Sequence, residues 1–376
     1  MIGGRCRSFF EKKLGRKIDN GNHLVFSANT NFYELCKIVG STDRLKVLPP
    51  NLFFYDLKKN LSWNLNLKKL TVKGIFKNKL ELIPGSNLLD YLSILKFLYV
   101  NKRKTVFDIV GKSRIFESFW DPLTLAVMNT SSKLASANIL SNVLKKTILR
   151  GEKYCHIYQP KVNWNNAIIE PCINFLNNKG YEIKLRTILK ELEISNNLIT
   201  KLKFNDLTIN VNKNDLVVLA IPPSNFLKFF PEYILPKNYN SIINIHYSLP
   251  KKLEKKLSHQ IVGFINSYTH WVFIKDGYLS VTISDANHLN NLDSNEIANI
   301  IWREICSFMN INQKITDFQV VKEKKATIEQ SPSNFQLIKK IKNLPRNLRL
   351  SGDWTQTNLP CTIEGSILSG KKTITS

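Results

Sequence analysis

The residues best placed to do chemistry lie toward the two ends of the chain. Near one end, "RLSGDWTQTNLPCTIEGSILSG" carries a short apolar lead-in to Ser351-Gly352-Asp353 and passes through a Trp- and Thr-containing loop. It then opens a helix at Thr362-Ile363-Glu364-Gly365, which the spacing closes at Ser369-Gly370. A glycine at a strand end lets a ligand approach the backbone, and a carboxylate accepts hydrogen bonds from hydroxyls. A helix start offers free N–H groups and a positive dipole end. Near the other end, "GGRCRSF" holds Gly3, Gly4 and Arg5, and "DNGNH" runs from Asp19 to His23. The plainer account of the same text is a basic tail, a turn, and a strand–loop–helix with a capping Thr.

Other chemistries find little support. The six cysteines (Cys6, Cys36, Cys155, Cys172, Cys306, Cys361) form no C-x-x-C or other zinc spacing, and the six histidines make no H-E-x-x-H. No metal is expected. No apolar run reaches the ~18 residues needed to span a bilayer, and no apolar h-region follows the N-terminal charges, so the expected location is cytoplasmic. The net charge of +25 admits three readings: a lysine- and asparagine-rich background, attraction to an anionic membrane surface, or nucleic-acid binding. The basic runs "FEKKLGRK", "NKRK", "PKKLEKK" and "KEKK" are scattered, and no nucleic-acid module is recognisable. Background composition is favoured, and no nucleic-acid partner is expected.

The elements that must position these residues are legible in outline. Phe32, Leu35, Cys36 and Val39 recur at helical spacing before Gly40. Residues 45–80 read as short strands and hairpins, and 87–150 turns helical. There "SNLLDYLSILKFLYVNKRK" sets Leu88, Leu92, Leu95 and Leu98 or Tyr99 on one face with a basic tail, and "SKLASANILSNVLKKTIL" gives a second amphipathic helix. "NAIIEPCINFLNNKGYEIKLRTILKELEI" reads as helix, Gly180 turn and strand. Leu216 to Ile221 forms a strand stopped by Pro222-Pro223. Beyond Tyr239 the text is mostly strand, interrupted by the helix "SNEIANIIWREICSFM".

"GGRCRSF", "DNGNH", "WDPLTLAVMNT", "VVLAIPP", "WVF", "KEKKATI" and "LSGDWTQTNLPCTIEGSILSG" occur in an order that resembles the flavin-containing amine oxidase and phytoene desaturase superfamily. Within it they look most like the squalene-associated FAD-dependent desaturases, the hydroxysqualene dehydroxylases. The resemblance covers nearly the whole chain. It implies a mixed α/β fold in which an FAD-binding Rossmann-like domain (1–44, 151–238 and 336–376) interleaves with a substrate domain of mixed β-sheet and helices (45–150 and 239–335). It also implies a strand, a G-x-G-x-x-G turn and a helix ahead of "GGR" to hold the FAD pyrophosphate. No G-x-G-x-x-G occurs in these 376 residues. The Rossmann-like part is therefore expected to lack its first strands, through a start placed too late or a true fragment.

By the same resemblance, Gly3, Gly4 and Arg5 border the pyrophosphate, with Arg5 meeting an anion. Gly21 and Asn22 turn under the flavin ring, and the Leu189 backbone meets the adenine. Gly352 and Asp353 meet the ribityl chain or pyrophosphate, and Thr362 and Ile363 present the helix start to the isoalloxazine. His23 and Glu364 are the candidate acids, while Trp120, Asp121, Trp271 and Phe273 wall the substrate site. Trp271 and Phe273, at i and i+2 of a strand, share a face. For each, an ordinary structural role remains the alternative: turn, cap, first-turn carboxylate or core. The implied reaction is reductive removal of the hydroxyl of hydroxysqualene, with reduced FAD delivering hydride and an acid protonating the departing oxygen. The partners implied are an apolar isoprenoid and, through "ILKFLYVNKRK", a peripheral contact with an anionic membrane. A carotenoid- or phytoene-type desaturase and a remnant that no longer binds FAD are the alternatives.

Overall fold

The computed structural model describes residues 2–70, 82–254, 257 and 259–375. Its largest sheet has seven strands among the described residues. Their order is Phe318–Ile328, Tyr239–Ser248, Tyr278–Ile283, Trp271–Lys275, Ile261–Ile265, Asn51–Asp56 and Leu61–Asn66. All neighbours are antiparallel except Ile261–Ile265 with Asn51–Asp56.

The period-two alternation of these strands sends their side chains to two different cores. Ile243, Ile245, Tyr247, Val272, Leu279, Val281 and Ile283 face the helix Ser294–Met309, packing on Ile297, Ile301, Trp302 and Ile305. Leu52, Phe54, Leu65, Ile261, Trp271 and Phe273 face the helical stretch between residues 88 and 148. Trp271 and Phe273 thus share a face while Val272 takes the other. Each fully buried side chain of this kind contributes roughly 1.5–3 kcal/mol, so a sheet with two apolar faces fixes its register tightly.

Smaller sheets are built from strands outside this one. Ser8–Glu11 and Arg16–Asp19 form a hairpin. Val25–Phe26, Ile157–Pro160 and Leu45–Leu48 form a three-stranded sheet against the helix Thr30–Ile38, which stops before Gly40 in the left-handed region. Leu189–Ser195, Leu198–Phe204 and Thr208–Asn210 form an antiparallel sheet. Val217–Leu219 and Leu348–Leu350 pair as a two-stranded parallel ladder, the short form of the strand read over 216–221.

Two elements depart from the sequence expectation. The stretch read as one amphipathic helix is a single α-turn, Leu88–Tyr91, followed by 3-10 helix over Leu92–Phe97. The inward side chains are Tyr91, Ile94 and Phe97, three apart, which is the 3-10 period rather than 3.6. Ser93 supports the tight winding by donating to the Asp90 carbonyl and accepting from the Trp120 indole at 3.1 Å. The leucine row Leu88, Leu95 and Leu98 consequently faces out.

The closing helix also runs past its expected stop, from Ile363 to Thr375. Gly370 lies inside it against Ser351, and the preceding Ser369 accepts a hydrogen bond from Gly352 N–H at 2.8 Å. Those glycine and serine positions serve close packing, not helix termination. The strand text "LTVKGIF" falls mostly on residues 71–81, outside the described residues.

Candidate functional site

The "DNGNH" turn is fixed by its first residue. Asp19 is fully buried and accepts from Ser8 Oγ at 2.7 Å, from Trp164 N–H at 3.0 Å and from Lys275 Nζ at 2.9 Å. Burial disfavours its charge, but Lys275 and these donors outweigh it and hold the carboxyl below its ordinary range. Lys275 is likewise opposed by burial, yet Asp19 and Tyr278 keep its ammonium protonated and raise its pKa. This pair ties the turn to the large sheet.

Asp19 positions Gly21, Asn22 and His23 over the face of the sheet that carries Trp271 and Phe273. The inward-alternating Asn244, His246, Ser280 and Thr282 stand on that face, opposite their apolar neighbours Ile243, Ile245, Val281 and Ile283. Asn22 Nδ2 donates to Ser280 Oγ at 2.7 Å and Thr282 Oγ1 at 3.0 Å. Thr282 donates to Asn244 Oδ1 at 2.8 Å, and Asn244 Nδ2 donates to the Asn20 carbonyl at 3.1 Å. Ser280 Oγ pairs with His246 Nδ1 at 2.9 Å.

Three buried atoms of this patch make no hydrogen bond: Asn22 Oδ1, His23 Nε2 and His246 Nε2. Orphaned polar atoms are costly unless a ligand or water meets them. Burial pushes His23 down to about 4 and His246 to about 3, so both imidazoles are neutral at pH 7. The patch therefore offers uncharged donors and acceptors, suited to a neutral hydroxyl or carbonyl. Gly21 borders these atoms: a Cβ there would sit in ordinary contact, 3.5 Å from Asn244 Nδ2 and 3.7 Å from His23 Nε2.

The closing stretch packs beside the first residues. Arg5 Nη2 lies 2.7 Å from Asp353 Oδ1, and its other amine donates to the Ala326 carbonyl. Gly3 and Gly4 precede it with positive φ, and at Gly3 a Cβ would come within 2.7 Å of the Cys6 carbonyl. Gly352 has φ +141, a backbone state open to glycine. Thr362 Oγ1 accepts from Gly365 N–H at 3.2 Å, capping the helix that begins at Ile363.

Glu364 is placed differently from a proton donor. Its carboxylate is buried and accepts from Asn31 Nδ2 at 2.7 Å, Asn31 N–H at 3.3 Å and Phe32 N–H at 3.0 Å. Both oxygens thus satisfy the first turn of the helix Thr30–Ile38, the role of a capping acceptor. Trp120 lies in the core on Phe97 and Phe119, and Asp121 accepts from Ser132 at the start of the helix Asp121–Met128. Leu189 begins the antiparallel strand Leu189–Ser195 opposite Phe204.

Asn244, His246, Lys275, Ser280 and Thr282 were not singled out from the sequence. Their signal was present in "SIINIHYS" and "YLSVTIS", where polar residues alternate with large apolar ones in strands buried on both sides.

A family model described as "Flavin containing amine oxidoreductase" matches residues 1–373. The chain belongs to the flavin-containing amine oxidoreductase family. A protein of Zymomonas mobilis named hydroxysqualene dehydroxylase is 30% identical over 99% of this chain and 89% of its own length. One of the same name from Rhodopseudomonas palustris is 31% identical, again over 99% and 89%. The fold is also that of an oxidoreductase from Methanosarcina mazei, which is 10% identical with a TM-score of 0.74, over 100% of this chain and 92% of that one.

As a flavin-containing amine oxidoreductase, the chain is an oxidoreductase with FAD as its cofactor. The residues present fit the flavin and ribityl end of that group. Gly21 and Gly352 leave the backbone bare, Thr362-Ile363 supply a helix start, and Asn22 and His23 carry buried polar atoms without a partner, while Arg5 is held beside them in an ion pair with Asp353. A pyrophosphate-binding G-x-G-x-x-G is not among these residues.

Proposed function

We propose that the chain removes the hydroxyl group of hydroxysqualene reductively, yielding squalene and water, with the two electrons and two protons drawn from reduced FAD. The observation that carries this reading is the junction of two surfaces on one sheet face. Trp271 pairs in register with Thr282, and Phe273 pairs with Ser280. The apolar wall thus stops where the patch of Asn22, Asn244, His246, Ser280 and Thr282 begins. A long hydrocarbon bearing one neutral oxygen matches that junction, and a charged amine matches it poorly because neither imidazole carries or seeks a charge near pH 7. The name carried by the relatives at 30% and 31% identity supports the same substrate.

FAD, when bound, supplies the two-electron reducing chemistry. The chain's residues hold and orient. Gly3, Gly4, Arg5, Gly352 and Asp353 would hold the phosphate and ribityl side of FAD, and Gly21, Asn22, Thr362 and Ile363 would border its ring. Asn22 Oδ1 orients the hydroxyl, Asn244 holds Thr282 and the Asn20 carbonyl in place for it, and neutral His246 accepts or donates a hydrogen bond at Nε2. Lys275 retains its proton at Nζ and sets the local potential felt by His246 and His23. Trp271, Phe273 and Phe54 keep water from the reacting carbon.

The test is a product assay with FAD-loaded, anaerobically reduced protein offered hydroxysqualene and, separately, phytoene. Squalene formation from the first, with phytoene untouched by either redox state, is the expected result. Desaturation of phytoene by the oxidised form, with hydroxysqualene unconsumed, would overturn the reading.

A further inference from the structure

We infer that the outer face of residues 88–107 docks on an anionic lipid surface. The inference rests on the proposed apolar substrate for its purpose, and on the structure for its chemistry. Tyr91, Ile94 and Phe97 pin this segment to the core, and the winding that buries them turns the leucine row outward. Leu89 is 74% and Tyr99 94% exposed, with Leu88, Leu95, Leu98 and Phe107 also open. Six large apolar side chains exposed within twenty residues are a density that soluble surfaces seldom show without a partner.

The charge around it selects that partner. Lys96, Lys102, Arg103 and Lys104 are exposed within the same segment. Its one carboxylate, Asp90, and the adjoining Asp108 are engaged in capping boxes, on Asn87 N–H and Thr105 N–H respectively, each at 2.9 Å. A polar cleft of about 340 Å³ opens from Lys102 to Lys339, lined also by Asn138, Asn142, Gln356 and Asn358, and is suited to a headgroup phosphate. Exposed apolar side chains sharing a segment with exposed cations complement an anionic bilayer surface, where both the acyl boundary and the headgroups are used. Among the described residues no helix is long and apolar enough to cross a membrane, so the contact is shallow.

Co-sedimentation tests this with vesicles of phosphatidylcholine alone and of phosphatidylcholine with phosphatidylglycerol. The full chain should bind the anionic vesicles and release them as salt rises. Replacing Lys102, Arg103 and Lys104 together with Gln should lower that binding on the order of a hundred-fold, at about five-fold per charge. Leu89→Asp with Tyr99→Asp should abolish it on both vesicle types. These exposed substitutions leave the melting temperature and flavin content unchanged, and turnover of detergent-dispersed substrate reads the enzyme separately. The inference is overturned if the wild type fails to bind anionic vesicles at low salt, or if the Leu89/Tyr99 variant binds undiminished. It is also overturned if light scattering shows this face pairing two copies of the chain while vesicles stay unbound.

Discussion

Lys275 Nζ stands 2.9 Å from Asp19 Oδ2 and joins the turn beneath the candidate ring site to the sheet that faces it. Asp19 is fully buried while Lys275 keeps some contact with solvent, so loss of the cation strands a carboxylate inside the protein. Lys275→Met should cost about 3–5 kcal/mol in urea unfolding, and adding Asp19→Asn should return most of it. If the single and double variants are equally destabilised, the pair does not act as a unit.

His246 makes stability depend on pH with a definite sign. Its folded pKa, about 3, lies below the ordinary value of 6.5, so the unfolded chain takes up a proton first as pH falls. Its contribution is full above the unfolded value and declines by about 1.4 kcal/mol per pH unit below it. Urea midpoints measured between pH 7.5 and 5 should fall on acidification, and His246→Asn should flatten that slope. A slope unchanged by the substitution would count against a buried neutral imidazole.

Glu364 serves the helix Thr30–Ile38, and its loss is therefore structural. Glu364→Ala leaves the Asn31 and Phe32 N–H groups unmet and should lower stability by about 1–2 kcal/mol. The pH profile of turnover by the residual folded enzyme should keep its shape. A profile that loses its alkaline limb, where a proton donor would be deprotonated, would restore Glu364 in that role.

Gly263 leaves room for the aromatic wall. A Cβ there would come 2.5 Å from the Phe54 ring and 3.1 Å from Trp271. Gly263→Ala should destabilise by about 1–3 kcal/mol, because the rings must leave their rotamers. It should also raise KM for the apolar substrate while flavin content holds. Unaltered melting and KM would show that the wall yields freely.

Much of the framework was legible in the sequence because it rests on local periodicity. The alternation in "WVF" placed Trp271 and Phe273 on one face, and the run "SNEIANIIWREICSFM" became the helix Ser294–Met309. The leucine row at 88–98 misled because two periods competed. Tyr91, Ile94 and Phe97 at spacing three won, with Phe97 packed on Trp120, a residue outside the segment, and Ser93 accepting from its indole. The same limit hid the polar patch. Asn22 and Ser280 are 258 residues apart, and only the folded sheet brings them within 2.7 Å. Glu364 was visible as a first-turn carboxylate, but the helix it caps is not its own.

The central claim is that reduced flavin and the hydroxyl-binding patch act on one substrate. The most direct measurement is the return of oxidised-flavin absorbance when hydroxysqualene is added anaerobically to the reduced, FAD-loaded protein, followed in the wild type and in Asn244→Leu. The account predicts reoxidation in proportion to squalene formed in the wild type. It predicts reoxidation about a hundred-fold slower in the variant, with flavin content retained. Flavin that stays reduced in the wild type, or a variant that reoxidises just as fast, would contradict it.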